Sequence, residues 1–243
     1  MNSVRLTSFI MRFRRIKRFS LFSLAVIKTL SVGCIGIDDG VANCPVYTFG
    51  EPDGHYIALT FDDGPHPTKT PEILDILKSN DIKATFFVVG ENASQNEEVV
   101  ERIIREGHEI GNHTFFHKYL GGKGRSVMER EIDLCDDVIF NHSEYSSHLF
   151  RPPGGLYDDT LTNVCAERGY SVVLWSIDTR DWAGTSANDI CKEIYEYVED
   201  GSIILMHDYI CGESHTAEAL TEVIPKLKKL GYRFVTVSEL IGN

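Results

Sequence analysis

From residue 56 onwards, short apolar runs alternate with amphipathic stretches in which apolar residues recur with the period of a helix. The short runs are typical of buried strands and the longer stretches of helices that cover a core on one face. Strands are predicted at residues 56–61, 83–90, 108–113, 148–152, 171–178, 202–208 and 233–237. Helices are predicted at residues 71–80, 96–106, 126–141, 158–168, 187–199 and 216–230.

This strict alternation predicts parallel strands joined by helices, hence an α/β fold. An open doubly wound sheet and a closed barrel share the pattern, so alternation alone does not choose between them. The first helix is expected to have Thr70 as its N-cap and Pro71 at its first helical position. In both kinds of fold the active site forms at the carboxyl ends of the strands.

The amino-terminal part differs in composition from the rest of the chain. Residues 1–30 contain seven of the 24 basic residues and no acidic one, and an apolar run over residues 19–27 follows the basic cluster. Residues 1–37 are therefore interpreted as an export signal or a membrane anchor, and the alternative is a disordered basic tail of a cytoplasmic protein. Residues 38–53 are predicted to be a linker and residues 54–243 one catalytic domain. This places the protein outside the cytoplasm, secreted or anchored at the cell envelope.

The overall composition is that of an ordinary globular domain. The chain has 243 residues, of which 42% are hydrophobic and 25% charged, and its formal net charge is −12. Seven basic residues and no acidic residue lie in residues 1–30, so the rest of the chain is more acidic than the net charge of the whole chain indicates. An acidic domain argues against nucleic acid as a partner. Of the six cysteines, Cys135 and Cys165 fit helical core positions, while Cys44 and Cys211 fall in predicted loops and are open to pairing.

Two motifs at predicted strand ends carry the candidate chemistry. Thr60-Phe61-Asp62-Asp63-Gly64-Pro65 places two carboxylates together, and His113-Thr114-Phe115-Phe116-His117 places two imidazoles four residues apart. Histidines with this spacing project from one face of a helical turn, and a carboxylate from another strand completes a three-ligand metal site. One aspartate is then a ligand, and the other is free to accept a proton from water. Either motif alone is compatible with turn chemistry or a surface cluster, but together they indicate metal-assisted hydrolysis.

The chain resembles the polysaccharide deacetylases of carbohydrate esterase family 4, the NodB homology group, over residues 54–240. The resemblance rests on five segments that occur in order. They are Thr60-Phe61-Asp62-Asp63-Gly64-Pro65, His113-Thr114-Phe115-Phe116-His117, Arg151-Pro152-Pro153-Gly154-Gly155, Asp178-Thr179-Arg180-Asp181-Trp182 and Ile204-Leu205-Met206-His207-Asp208. The resemblance implies a distorted, incomplete (β/α) barrel with about seven parallel strands, and so favours the barrel.

The resemblance also implies a role for each matching position. Asp63, His113 and His117 would hold a divalent metal, usually Zn²⁺. Asp62 would be the general base, oriented by Arg151, and His207 the general acid that protonates the leaving amine, held by Asp181. The backbone N–H of Gly154 would stabilise the oxyanion, and Trp182 with Leu205 would wall a pocket for the acetyl methyl group.

One departure from the family pattern concerns the glycan groove. Many relatives carry an aromatic residue after the two prolines, where this chain has Gly154. The resemblance therefore implies a wider groove here, with Tyr157 as a partial replacement. The backbone donor at Gly154 survives the change.

Three functions are compatible with these motifs. The favoured one is removal of N-acetyl groups from N-acetylhexosamine polysaccharide, with peptidoglycan ahead of chitin-like oligosaccharides because a catalytic domain behind a signal-like segment suits wall modification. The second is an acetylxylan-type O-esterase, since the same metal and base would serve the hydrolysis of an ester, which needs less help from His207. The third is a catalytically silent wall-binding module, against which the complete set of acid, base and ligand residues argues.

Overall fold

The computed structural model of the chain describes residues 44–51 and 54–242. The predicted export or anchor segment, residues 1–37, lies outside the described residues. The described part of the chain forms nine strands. They are β1 (Val46–Tyr47), β2 (Tyr56–Asp62), β3 (Thr85–Val88), β4 (Glu109–Asn112), β5 (Leu149–Phe150), β6 (Ser171–Val173), β7 (Ile177–Asp178), β8 (Ile203–His207) and β9 (Arg233–Phe234).

Eight α-helices connect or follow these strands in the described residues. They are α1 (Lys69–Ser79), α2 (Gly90–Gln95), α3 (Glu97–Arg105), α4 (Arg125–Ser143), α5 (Asp159–Glu167), α6 (Ala187–Tyr197), α7 (Thr216–Lys229) and α8 (Val237–Ile241). Two short 3₁₀ turns occur at Pro153–Gly155 and Asp181–Ala183. No helix of the described residues is long and apolar enough to cross a membrane.

The strands form one parallel sheet that curls into an incomplete barrel. The order is β1-β6-β5-β4-β3-β2-β8-β7, with β9 also paired to β2. Strands β6 and β7 lie near opposite ends of this order, yet only residues 174–176 connect them. Because three extended residues reach only about 10 Å, the two ends of the sheet must curve towards each other. The predicted distorted, incomplete (β/α) barrel is confirmed.

The prediction of one continuous strand over residues 171–178 is wrong, and Arg151 explains the break. The guanidinium of Arg151 donates hydrogen bonds to the carbonyl oxygens of Val173 and Leu174, at 3.2 and 2.9 Å. Those two carbonyls therefore bond to a side chain instead of a neighbouring strand. The chain leaves β6 at this point and begins β7 at the other end of the sheet.

The predicted linker over residues 38–53 also needs correction where the structure describes it. Residues 46–47 form β1 on the outer edge of β6, and Phe49 forms an isolated antiparallel bridge with Ser202 next to β8. Apolar side chains explain the attachment, since Tyr47 packs against the apolar cluster that includes Val173. The described segment 44–51 thus spans the seam between the two ends of the curled sheet.

Helix positions largely follow the amphipathic pattern, with two additions and one changed start. The strands predicted over residues 83–90 and 233–237 end earlier than predicted, and helices α2 and α8 begin at the last residue of each predicted range. At α8 a capping box between Thr236 and Glu239 starts the helix. Helix α1 begins at Lys69, so Thr70 is not its cap and lies inside the first turn.

Two apolar layers hold the sheet in place. Alternate residues of β2, β3 and β8, such as Leu59, Phe86 and Met206, face the helices in the larger cluster. The opposite face contributes Ala58 and Ile203, together with residues of α8, to a smaller cluster. Because strand side chains alternate with period two, Thr60 and Asp62 share the face of Ala58. The polar end of this inner face lies at the carboxyl ends of the strands, where the candidate site is found.

Candidate active site

The candidate site lies at the carboxyl edge of the sheet, as expected for parallel strands. Asp62 is the last residue of β2 and is the register partner of His207, the last residue of β8. His113 follows β4 directly and Arg151 follows β5. The five sequence segments therefore converge on one edge.

Asp63, His113 and His117 form a cluster whose potential ligand atoms all lie within 4.8 Å of one another. Asp63 Oδ1 is 3.4 Å from His113 Nε2 and 3.0 Å from His117 Nε2. The same oxygen is buried without a hydrogen-bond partner. A buried carboxylate oxygen that faces two imidazole nitrogens and lacks a donor is the arrangement that a cation satisfies.

The tautomer of His113 is fixed by the backbone. His113 Nδ1 lies 2.7 Å from the carbonyl oxygen of Arg151. Because a carbonyl only accepts hydrogen bonds, Nδ1 carries the proton and Nε2 presents its lone pair to the cluster. This is the outer contact that commonly orients a metal-ligating histidine.

The electrostatics of the cluster favour an ionised Asp63. Burial by itself would raise the pKa of Asp63, but the two adjacent imidazoles outweigh burial and hold the pKa well below its usual range. The contact with Asp63 in turn raises the pKa of His117. Asp63 is therefore a carboxylate at neutral pH, the form that binds a cation.

The predicted helical turn over residues 113–117 is wrong, although the two histidines do meet. The segment is an irregular loop in which Thr114 and His117 have φ of 67° and 51°. Asn112 supports the loop by accepting a hydrogen bond from the Thr114 N–H at 2.8 Å. The imidazole centroids lie 5.1 Å apart. Loop geometry, and not helical periodicity, brings the histidines together.

Arg151 is completely buried and pairs with Asp62. Its NH1 donates to Asp62 Oδ1 at 2.7 Å and to Thr60 Oγ1 at 2.8 Å. The guanidinium carbon lies 4.0 Å from the centroid of the Phe87 ring. Burial lowers the pKa of Arg151, and the Asp62 carboxylate opposes that effect. One oxygen of Asp62 is held by the guanidinium, and the other, Oδ2, lies 3.7 Å from His113 Nε2.

His207 is held by Asp181 through two contacts. His207 Nδ1 lies 2.8 Å from Asp181 Oδ1, and the His207 backbone N–H donates to Asp181 Oδ2 at 2.8 Å. Thr216 Oγ1 donates to the same Oδ2 at 2.7 Å. Burial would lower the pKa of His207, but the hydrogen bond and charge of Asp181, with smaller contributions from Asp62 and Asp63, raise it to about 9. His207 is therefore an imidazolium at neutral pH.

The remaining predicted site residues lie in different surroundings. Leu205 is buried on β8, two residues before His207 and on the same face, and Trp182 is half exposed on the 3₁₀ turn that begins with Asp181. Gly154 is exposed, with φ of 64°. Tyr157 packs against the cluster formed around α4 and α5.

Sequence reasoning missed Asp208 and Thr70 as supports of the site. Asp208 Oδ1 accepts a hydrogen bond from the Gly64 N–H at 3.0 Å, and Oδ2 accepts one from Thr70 Oγ1 at 2.6 Å. Burial raises the pKa of Asp208 to about 7. These bonds fix the turn that follows Asp63. Their signal in the sequence was the polar Thr70, which capping rules assigned to the helix start.

Comparison with known proteins gives one consistent result. The polysaccharide deacetylase family model matches residues 49–173. A peptidoglycan-N-acetylglucosamine deacetylase of Bacillus cereus is 43% identical over 187 residues, which cover 76% of this chain and 87% of the relative. The structure of the Bc1960 peptidoglycan N-acetylglucosamine deacetylase superimposes with a TM-score of 0.80 at 36% identity, covering 82% of this chain and 93% of that one.

A third similar structure is a family 4 acetyl xylan esterase from Clostridium thermocellum in complex with a cobalt ion. Its TM-score is 0.72 at 34% identity, and the match covers 77% of this chain and 90% of that chain.

Proposed function

This chain belongs to the polysaccharide deacetylase family, and from that premise we propose that it removes N-acetyl groups from the N-acetylhexosamine residues of peptidoglycan. The observation that carries the proposal is the juxtaposition of three parts at one strand edge. These parts are a candidate cation cluster, a carboxylate paired with a buried arginine, and an imidazolium paired with a buried carboxylate. Metal-assisted hydrolysis of an amide uses a Lewis acid, a general base and a general acid, and these three parts can supply them.

Asp63, His113 and His117 are the residues that would hold a divalent cation, and Zn²⁺ is the proposed ion because two imidazoles and one carboxylate form a common catalytic zinc set. A bound cation supplies Lewis-acid polarisation of water and of the substrate carbonyl. The unpartnered buried oxygen of Asp63 and the fixed tautomer of His113 support this assignment.

Asp62 is the proposed general base. Its carboxylate is next to the cluster, and its pairing with Arg151 orients it without neutralising it by proton transfer, since an arginine does not give up its proton in proteins. The carboxylate can therefore accept a proton from the attacking water at Oδ2, the oxygen that Arg151 leaves free.

The backbone N–H of Gly154 is the proposed oxyanion donor. No other described residue accepts a hydrogen bond from it, so it is available to an oxyanion. Leu205 and Trp182 are the proposed walls of the acetyl pocket, because they flank His207 and Asp181 respectively and present apolar surface.

His207 is the proposed general acid. An amine is a poor leaving group unless it is protonated, so the acid must be charged at the working pH. Asp181 provides this charge by binding Nδ1, which leaves the Nε2–H for the leaving nitrogen. Asp181 is thus a positioning residue for the acid.

A second candidate function is hydrolysis of O-acetyl esters, as the acetyl xylan esterase among the similar structures suggests. An ester leaving group needs little protonation, so the two functions differ in their dependence on His207. We expect His207→Ala to abolish release from an N-acetylated glycan. If acetylxylan is the substrate, the same variant loses little activity on it.

The domain organisation remains part of the proposal. Residues 1–37 are proposed to export the protein or anchor it at the membrane, which brings a catalytic domain to the cell wall. Action on a wall polymer outside the cytoplasm agrees with the peptidoglycan relatives.

The test measures acetate released by the purified protein after chelator treatment and again after Zn²⁺ is restored. Peptidoglycan, N-acetylglucosamine oligomers and acetylxylan are compared side by side. Zinc-dependent release from peptidoglycan is expected. Asp62→Asn should abolish release while leaving bound zinc unchanged, and most of the activity surviving in that variant would remove Asp62 as the base. Zinc binding without release from any glycan would favour a silent wall-binding module.

A further inference from the structure

Cys44 and Cys165 lie side by side in the fold, although the two residues are far apart in the chain. The backbone confirms the proximity. Cys44 Sγ donates to the carbonyl oxygen of Tyr170 at 3.0 Å, and the N–H of Tyr170 donates to the carbonyl oxygen of Cys165 at 2.9 Å. Cys44 also packs against the apolar cluster that contains Cys165. Cys211, the other cysteine of a predicted loop, is exposed beyond β8.

We propose that Cys44 and Cys165 form a disulfide bond in the exported protein. That this bond forms in the cell depends on the proposed location outside the cytoplasm, where thiols are exposed to oxidants. The ability of the two residues to pair is a property of the fold alone and can be tested without that assumption.

The chemistry requires a disulfide-containing oxidant, such as an oxidised thiol–disulfide oxidoreductase or oxidised glutathione. The hydrogen bond with Cys165 lowers the pKa of Cys44, whereas the contact with Cys44 and burial raise the pKa of Cys165. Cys44 is also partly exposed, so its thiolate attacks the oxidant and releases one thiol. Cys165 then attacks Cys44 Sγ and releases the second thiol. Two protein thiols are oxidised, one external disulfide is reduced, and the two protons pass to the released thiolates.

The position of Cys44 gives this bond a mechanical consequence. The N–H of Val172 donates to the carbonyl of Pro45 at 2.9 Å on one side of the sheet seam, and the Gly50 N–H donates to the carbonyl of Gly201 at 2.8 Å on the other. Cys44 is at the amino end of this bridging segment. Any force from a membrane-attached amino terminus would reach the catalytic domain through it. A disulfide transfers that force to α5 instead of to the two-residue strand β1.

The test equilibrates the full-length protein with oxidised glutathione, blocks free thiols by alkylation, and identifies linked peptides by mass spectrometry. A peptide joining Cys44 to Cys165 is expected, together with a rise of about 5–10 °C in Tm that reductant reverses, the order expected for closing so long a loop. Cys44→Ala should lose the rise and Cys211→Ser should keep it. The proposal is overturned if Cys44 retains glutathione while Cys165 stays free, or if Cys44 links to Cys211.

A second inference concerns the glycan groove; it rests on the proposed function and on a different contact. The ring of Tyr119 lies over the backbone of Gly154, since a Cβ atom on that glycine would be 2.6 Å from Tyr119 Cε1. The ring is 55% exposed, and its centroid is 6.0 Å from that of His117. The aromatic surface beside the cluster therefore comes from the loop after β4.

We infer that Tyr119 is the surface on which a sugar ring of the substrate packs. An exposed aromatic face next to polar groups suits the apolar C–H face of a pyranose. The absence of a side chain at Gly154 makes room for it. Tyr157, the sequence-based candidate, packs against the α4–α5 cluster instead.

The test compares Tyr119→Ala and Tyr119→Phe, with Phe140→Ala as a control because Phe140 is an exposed aromatic on α4, outside the candidate site. Tyr119→Ala should raise KM for an N-acetylglucosamine oligomer about tenfold with kcat within twofold, and Tyr119→Phe should behave as the parent. Equal losses on the oligomer and on a small acetate ester would show a structural effect and overturn the inference. The affinity of the oligomer is also compared between Asp62→Asn and the double variant Asp62→Asn/Tyr119→Ala. This comparison tests the packing on Tyr119 even if the proposed reaction is wrong.

Discussion

Replacing Asp181 with Asn should move the acid of the proposed reaction out of its protonated state. Asp181 is the principal group that raises the pKa of His207 from 6.5 to about 9, a change that corresponds to roughly 3 kcal/mol of preference for the imidazolium. Without the carboxylate, burial is opposed only by the smaller contributions of Asp62 and Asp63, and the pKa should fall to about 6.5 or below. At pH 7.5 the protonated fraction of His207 then falls about tenfold or more. With the loss of orientation included, amide hydrolysis should fall roughly 10²–10³-fold.

Two measurements check this prediction. NMR titration of the cation-free protein should place the pKa of His207 near 9 in the parent and at least about two units lower in Asp181→Asn. In the zinc-loaded enzyme, the basic limb of kcat should shift down in the same direction, from a starting value that the cation has already lowered by repulsion. Asp189→Asn, a change on the exposed start of α6, should leave both unchanged. An unmoved titration or basic limb in Asp181→Asn would refute the pairing as the origin of the charge.

The same raised pKa has a consequence for stability. A group whose folded-state pKa exceeds its unfolded value stabilises the fold fully below the unfolded value and loses that contribution as pH rises through the folded one. For His207 the window runs from pH 6.5 to about 9. The difference in unfolding free energy between the parent and Asp181→Asn should therefore be largest below pH 6.5 and narrow as the pH passes 9.

Three further predictions test the supports of the site. Arg151→Met leaves Asp62 buried without its cation and should cost about 3–5 kcal/mol in urea denaturation, and a loss below about 1 kcal/mol would contradict the pairing. Gly64→Ala places a Cβ atom 2.1 Å from Asp208 Oδ2, so zinc affinity measured by calorimetry should fall about 10–100-fold as the turn shifts; unchanged affinity would show that the turn does not position the ligand. Asp63→Asn should weaken zinc binding by roughly 100-fold or more in the same assay, and parent-like binding would remove it from the ligand set.

The sequence predicts the parallel strands of the sheet better than the points at which strands end and loops begin. Alternating apolar runs and helices determine parallel strands, and the register between Asp62 and His207 follows once their strands are neighbours. The break between β6 and β7 depends on a buried Arg151 from a distant segment, which no local pattern reveals. The spacing of four residues between His113 and His117 likewise predicted a helical turn, whereas positive φ angles at Thr114 and His117 give a loop.

The long-range contacts that complete the site were the least predictable. Tyr119 covers Gly154 from another loop, and Cys44 meets Cys165 only because the segment that contains β1 pairs with the outer edge of β6. Each contact joins segments that are remote in sequence and have no periodic signal. The ordered motifs pointed to the proposed reacting groups and to their partners Arg151 and Asp181, but the supports Thr70 and Asp208 became visible only in the folded chain.

The proposed base and the proposed acid are each paired with a separate buried partner, which explains how the site can hold the two groups apart. Asp62 and His207 are direct neighbours across β2 and β8, so a carboxylate and an imidazolium at these positions could bind each other and share one proton. Arg151, which stays protonated, donates a hydrogen bond to one oxygen of Asp62, and Asp181 binds the Nδ1 of His207. In the proposed reaction each of these two groups is thus oriented by a partner that takes no part in proton transfer. Because both partners are buried, solvent does not weaken either pair, and the proton accepted by Asp62 and the proton donated by His207 can remain distinct throughout a turnover.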